Sequence, residues 1–332
     1  MIQANQVARW VFIATLPLML SGCGQNIFKG LAGDPNRSSE ELLKRGDFSA
    51  AIQKSDETLQ RVQTGSEAQD ALAIKATAIL GQNSSLPKDA LQVVSDLTKD
   101  TSANIVSSIS NSLPISATSA AQAADLLNYA DALSSSTNII VIPTEIANLL
   151  SLSAVQRPIS IQGVTNNTLS ASLNSTAQFR RGFANGTVVV KLVTQYLDIT
   201  VDPNSTSASV TLNATAISES KTARDVVLYL HNPPKSTLYY AENGLDAFEK
   251  SGALTTDQLK PFKRIKLLGI NFDALRTIAL NNDSGSFVLK DEYGATITGS
   301  KAFSTTFSGS GTAATKYIDS LKAIISAATG GN

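Results

Sequence analysis

One cysteine, one histidine and one tryptophan in 332 residues narrow the available chemistry before any pattern is considered. Zinc sites assembled from thiolates and imidazoles need several such ligands, and with only Cys23 and His231 to draw on they are excluded. An acyl-transfer centre built on an imidazole base would have to use His231, and no Gly-x-Ser-x-Gly elbow is present to supply its nucleophile. Charge of one sign is also missing: 27 basic residues balance 27 acidic ones, so no bulk field draws the chain to nucleic acid. A lone cysteine forms no intrachain disulfide, which leaves packing as the source of stability. The apolar run from Trp10 to Leu20 is about half the roughly 20 residues of a membrane span and contains Pro17, so it does not read as a transmembrane helix.

What the run does resemble is set by its ends. Arg9 precedes it, as a basic residue precedes the apolar region of a secretory signal. Leu20-Ser21-Gly22-Cys23 closes it with an aliphatic residue, two small residues and the cysteine. A free buried thiol is the ordinary meaning of a lone cysteine, but it does not account for that placement. The four residues resemble the lipobox of bacterial lipoproteins. The resemblance implies that residues 1–22 are a signal peptide cleaved between Gly22 and Cys23, and that the Cys23 thiol is diacylated and becomes the anchored N-terminus. Gly24 stands where the family's inner-membrane retention signal is an aspartate, so the expected location is the outer membrane of a two-membrane cell.

Residues 23–37 include Gly33, Asp34, Pro35 and Asn36 without periodicity and read as a tether between lipid and folded part. From Ser38 the pattern becomes helical, with Ser38 and Glu41 spaced as a capping box and Leu42 and Leu43 following. The run Lys44-Arg45-Gly46-Asp47-Phe48-Ser49-Ala50-Ala51-Ile52 resembles the inter-helix turn of a tetratricopeptide repeat. That likeness implies that Gly46 closes the first helix, that Phe48 packs into the hairpin and that Ala51 lies where the helices touch. A second unit is expected from a Ser66–Gln69 capping box to Gly81, then a helix opened by Pro87 with Ala90, Leu91, Val94 and Leu97, so that 38–100 forms stacked helical hairpins. Two plain antiparallel hairpins are the simpler alternative.

Residues 101–330 are expected to continue the same helical body, and the fold class is all-α. Apolar stripes at helical spacing include Ala123, Leu126, Leu127, Ala130 and Leu133, then Ile146, Leu149 and Leu150, then Val188 to Leu197. Ile139 to Ile142 reads as a short extended segment, and 203–220, rich in Ser, Thr and Ala, as helix. Helices are expected at 236–251, at 255–267 with an interruption at Pro261, and at 271–281. Asn281 to Gly285 echoes the start of a calcium loop but lacks the later acidic ligand, so it is a turn. Phe287 to Lys290 and Ala295 to Ile297 flank Asp291-Glu292-Tyr293-Gly294 as a small β-hairpin. A Gly-, Ser- and Thr-rich loop from Ser304 to Thr312 then leads to a last helix with Ile318, Leu321, Ile324 and Ile325 on its apolar side.

Candidate sites are few. Glu40-Glu41 and Asp291-Glu292 sit on expected surfaces and need no catalytic role. His231, just before Pro233 and Pro234, reads as a helix-terminal residue complementing the helix dipole. Lys260, Lys263, Arg264 and Lys266 crowd around Phe262 and Ile265, a basic cluster that fits an acidic partner or anionic lipid, or simply a solvated face. No catalytic residue, metal or cofactor is expected. The expected function is therefore a membrane-anchored helical adaptor for an envelope protein or peptide, with a carrier of a small apolar ligand or lipid as the alternative.

Overall fold

The computed structural model describes residues 37–61, 65–83, 115–134, 139–140, 159–160, 172–201, 208–231, 236–309 and 313–329. The lipobox, the tether, the helix expected after Pro87 and the stripe at Ile146 to Leu150 lie outside them. Most of the described chain is helical, and the fold class is all-α with short antiparallel strand pairs.

The first three helices are α1 (Arg37–Lys44), α2 (Phe48–Arg61) and α3 (Gly65–Asn83). Gly46 joins the first two at φ +78, a left-handed conformation a side chain would oppose, and the amide of Asp47 donates to the carbonyl of Leu42 across the turn (2.9 Å). Phe48 lies over Gly81 of α3 so closely that a Cβ there would fall 2.5 Å from its ring. Ala51 is fully buried with Ile74 and Ala78, beside Leu42 and Leu43. The expected capping boxes are not where the helices begin. Helix α1 starts ahead of Ser38 and its Glu41 pairs with Arg45, while Glu40, expected at the surface, is buried against Lys44. Gln69 donates its side-chain amide to the carbonyl of Ala130 (3.0 Å), tying α3 to the next helix rather than capping its own.

That next helix, α4 (Ala117–Ala132), packs on α3 through the Ala123, Leu126, Leu127 and Ala130 stripe. A two-residue pair, β1 (Ile139–Ile140) with β2 (Ile159–Ser160), follows. The central element is α5 (Ser175–Tyr196), capped by the Asn174 side chain on the amide of Ala177 (2.9 Å). It runs unbroken through Gly182, Gly186 and Val188-Val189-Val190, all poor helix formers, because almost every residue from Arg181 to Val190 is buried. Helix α8 (Thr237–Ser251) lies directly against it.

Between them the expected helix over 203–220 is corrected. Strand β3 (Leu197–Val201) leaves the end of α5 and pairs with β4 (Ala208–Leu212), Ile199 opposite Val210. Val210 and Thr211 are β-branched, and burying Val210 against the core favours a strand over the helix that the alanines suggested. Among the described residues of that stretch α6 (Ala214–Ser218) alone is helical, followed by α7 (Ala223–Leu230) with a Thr222–Asp225 capping box.

Two further expectations are corrected. Helix α9 (Thr256–Leu280) is continuous, opened by the Thr255–Gln258 capping box. Pro261 does not break it, because the carbonyl it leaves unpaired is that of Asp257 in the exposed first turn. Gly269 does not end it either: a Cβ there would stand 2.7 Å from the Cα of Leu238, so the glycine serves helix contact. Strand β5 (Ser284–Val288) pairs with β6 (Ser304–Ser308), inside the stretch read as a loop, and the expected 287–297 hairpin keeps the turn with a single bridge, Lys290 to Thr296. Phe287 and Phe307 are the reason, since both are buried against the core. Helix α10 (Ala313–Thr329) closes the chain over β4, β6 and α9. One hydrophobic core extends from Leu59 to Ala328.

The α5–α8 contact depends on missing side chains. Gly244 of α8 sits against Asn185 and the backbone of Gly182 and Gly186, and a Cβ on Gly182 would lie 2.7 Å from the ring of Phe248. That ring cannot retreat, being fully buried between Phe179 (centroids 5.5 Å apart) and Phe262 (4.0 Å). Gly182→Ala is expected to cost about 1–3 kcal/mol despite its better helix propensity, read from the urea midpoint.

Candidate partner-binding surface

The four basic residues of the expected cluster lie in the first half of α9 and spread over nearly half of its circumference. Lys260, Lys263 and Arg264 stand at i, i+3 and i+4, and Lys266 follows Lys263 by three positions, so Lys263 has a basic neighbour on either side while Lys266 lies about 200° further round than Arg264. Lys260 pairs with exposed Asp257 (3.0 Å), an interaction that contributes little. The Lys263 ammonium donates to the Tyr293 hydroxyl (3.1 Å) and sits 5.7 Å from the centre of its ring. Arg264 is half-buried; burial pulls its pKa down, partly opposed by Glu292. Neither Arg264 nor Lys266 has a hydrogen bond or ion pair among the described residues.

Tyr293, expected only as a turn residue, completes this surface at 73% exposure. Its turn is over-determined. Asn271, buried in α9, accepts from the amide of Lys290 (2.9 Å) and donates to its carbonyl (2.8 Å), clamping the strand leading into the turn. The Asp291 carboxylate accepts from the amides of Tyr293 (2.9 Å) and Ala295 (2.8 Å), and Gly294 takes φ +84. The asparagine inside an apolar helix was the signal that something must be held there.

A second polar cluster, absent from the sequence reading, is buried where α4, α5 and α8 meet. Arg181 is almost fully buried. Its Nε donates to Asn128 (2.9 Å), one terminal nitrogen to Asp131 (2.8 Å) and Gln178 (2.9 Å), and the other to Asn243 (3.1 Å) and Asp246 (2.9 Å). Asn128 and Asn185 exchange reciprocal amide bonds of 3.0 Å, and Lys250 adds a second cation over Asp131 (3.3 Å) and Asp246 (3.0 Å). Tyr240 donates to Asp125 (3.1 Å), and burial drives its hydroxyl pKa far up. All five guanidinium donors are engaged, so the cluster has no donor left for a ligand, and its chemistry is that of a brace.

His231 ends α7 as expected, its amide donating to Val227. It does not complement the dipole as a cation. Burial depresses its pKa, Arg276 lowers it further, and Asp273, 2.9 Å from Nε2, opposes both incompletely. Nδ1 is buried without a hydrogen bond among the described residues, so neither nitrogen faces a substrate.

Among the described residues no group of three or more His, Cys, Asp or Glu side chains is placed to hold a metal, and no helix is long and apolar enough to cross a membrane. No protein-family model, curated protein or solved structure matches the chain.

Two predictions follow from the buried groups. Arg181→Ala leaves Asp131 and Asp246 with Lys250 alone as their shared cation and strips Asn128, Gln178 and Asn243 of a buried donor, and it is expected to cost about 3 kcal/mol, measured by urea unfolding. For His231 the depressed native pKa means that the unfolded chain takes up the proton first. Its contribution is full above about pH 6.5 and is lost as pH falls from there through the native pKa. Unfolding midpoints at pH 7.5 and 5 should therefore differ more in the parent than in His231→Gln.

Proposed function

We propose that this chain is a lipid-anchored, non-enzymatic adaptor of a bacterial cell envelope, attached through Cys23 and offering its helical body to a protein or peptide partner. The observation that carries the reading is Leu20-Ser21-Gly22-Cys23 placed directly after the Trp10–Leu20 apolar run. Residues 23–37, with Gly33, Asp34, Pro35 and Asn36 and no periodicity, serve as the tether between anchor and body. The α1–α2 hairpin, with Gly46 at its turn and Ala51 buried at its contact, supports a repeat-like N-terminal region. A rigidly held, exposed Tyr293 beside Lys263 and Arg264 supports recognition of a partner, because tyrosine and arginine are the side chains enriched in interface cores. Gly24 favours the outer membrane, facing the periplasm.

The anchor is tested by Cys23→Ala. Two acyl chains hold a protein far more firmly than one, so losing the only acceptor thiol should shift the protein from membrane to soluble fraction and abolish palmitate labelling. Its helical circular dichroism should not change. Retention on the membrane in the same amount and with the same mobility would show the anchor reading to be wrong.

A further inference from the structure

We infer that Tyr293, Lys263 and Arg264 form the docking site of this protein and that the partner they receive is a protein segment carrying closely spaced carboxylates; the inference rests on the adaptor reading above and names its surface.

The argument begins with Arg264. Its guanidinium is half withdrawn from water, yet it has no acceptor among the described residues, whereas Arg181 and Arg224 are both bonded to carboxylates. Five donors in a planar fork match a carboxylate, and an acceptor brought by a partner would replace the hydration already lost. Tyr293, next in sequence to the Glu292 that lies near Arg264, stands against Lys263 on a turn whose backbone is held by Asn271 and Asp291. Holding an exposed ring in a fixed place does nothing for the core, but it removes the ordering penalty that a flexible aromatic would carry into a complex. Lys263 donates to the Tyr293 hydroxyl, adding positive charge without its own carboxylate contact.

The charge pattern selects a protein over a bilayer. Glu292 lies near Arg264, Glu249 and Glu292 near Lys263, and Asp257 against Lys260. A uniformly anionic membrane would press negative charge on those carboxylates as well as on the cations, whereas a peptide can set its carboxylates opposite Lys263 and Arg264 alone.

Fluorescence anisotropy on the full-length, detergent-solubilised protein tests this with two labelled pools of twelve-residue peptides. One pool fixes a central Glu-x-Glu within otherwise random sequence, and the other carries Gln-x-Gln at the same positions. The acidic pool should bind at least about tenfold better, with affinity falling as salt rises. Tyr293→Ala and Arg264→Met should each lose about tenfold or more, Arg264→Lys should recover part of it, and Lys54→Gln in α2 should match the parent, all with unchanged circular dichroism. Equal binding of the two pools, or none, overturns the inference. So does binding of phosphatidylglycerol vesicles that disappears in the same variants, since the surface would then belong to lipid headgroups. A photo-reactive amino acid replacing Tyr293 in cells separates the two levels of the argument. A discrete crosslink formed from exposed Ile217 but not from position 293 removes this site and leaves the adaptor reading standing, whereas no discrete product from either position brings down both.

Discussion

The rest of the structure hangs on how closely α5 and α8 approach. Gly182 and Gly244 let the two helices come closer than added side chains would allow, since a Cβ on Gly182 would stand 2.7 Å from the Phe248 ring and one on Gly244 3.2 Å from the Cβ of Asn185. Once that close, the helices trap Arg181 between them and the end of α4. A buried guanidinium is tolerable only with complete compensation, and here two carboxylates and three side-chain amides supply it, while Lys250 balances the second carboxylate. The arrangement is a demanding one, because moving any of the three helices breaks several charge-assisted bonds at once. It therefore specifies one packing where apolar residues alone would accept several.

Outward from that centre, the structure uses single polar residues as fasteners. Asn271 holds the strand before the Tyr293 turn. Asp283, at a left-handed backbone position, accepts from Arg224 and from Tyr317 (2.8 Å each), joining α7, the end of α9 and α10. Gln69 joins α3 to α4. Each spends a buried polar group on fixing a neighbouring element, and the benefit reaches the surface as a turn stiff enough to present an aromatic ring. Binding geometry at Tyr293 is in this sense a product of the core.

Legibility from sequence followed the physics of each element. A helix with a long periodic stripe and strong ends, such as Thr237–Ser251, was readable to within a residue or two. Ala208–Leu212 was not, because its alanine, serine and threonine composition is compatible with helix and only its pairing with Leu197–Val201 made it a strand. Ser304–Ser308 hid for the same reason, a single buried Phe307 among polar neighbours being too weak a signal. Pro261 and Gly269 looked like punctuation of α9, yet one sits where its missing donor does no harm and the other where a neighbouring backbone needs the space. At the surface site, the basic residues could be picked out by composition, but the partnership of Lys263 with Tyr293 needed the fold.

By itself the sequence determined the all-α class, the absence of a thiolate–imidazole metal centre and the grounds for expecting a lipid anchor at Cys23, because these depend on residue type and local order. Only the tertiary structure decided that Asn128, Arg181 and Asp246 belong to one cluster, that His231 is held neutral beside Asp273, and that Tyr293 stands against Lys263. Those contacts join residues dozens of positions apart. No local periodicity carries their distances, so they emerge only when burial of the apolar faces sets which helices lie together and how closely.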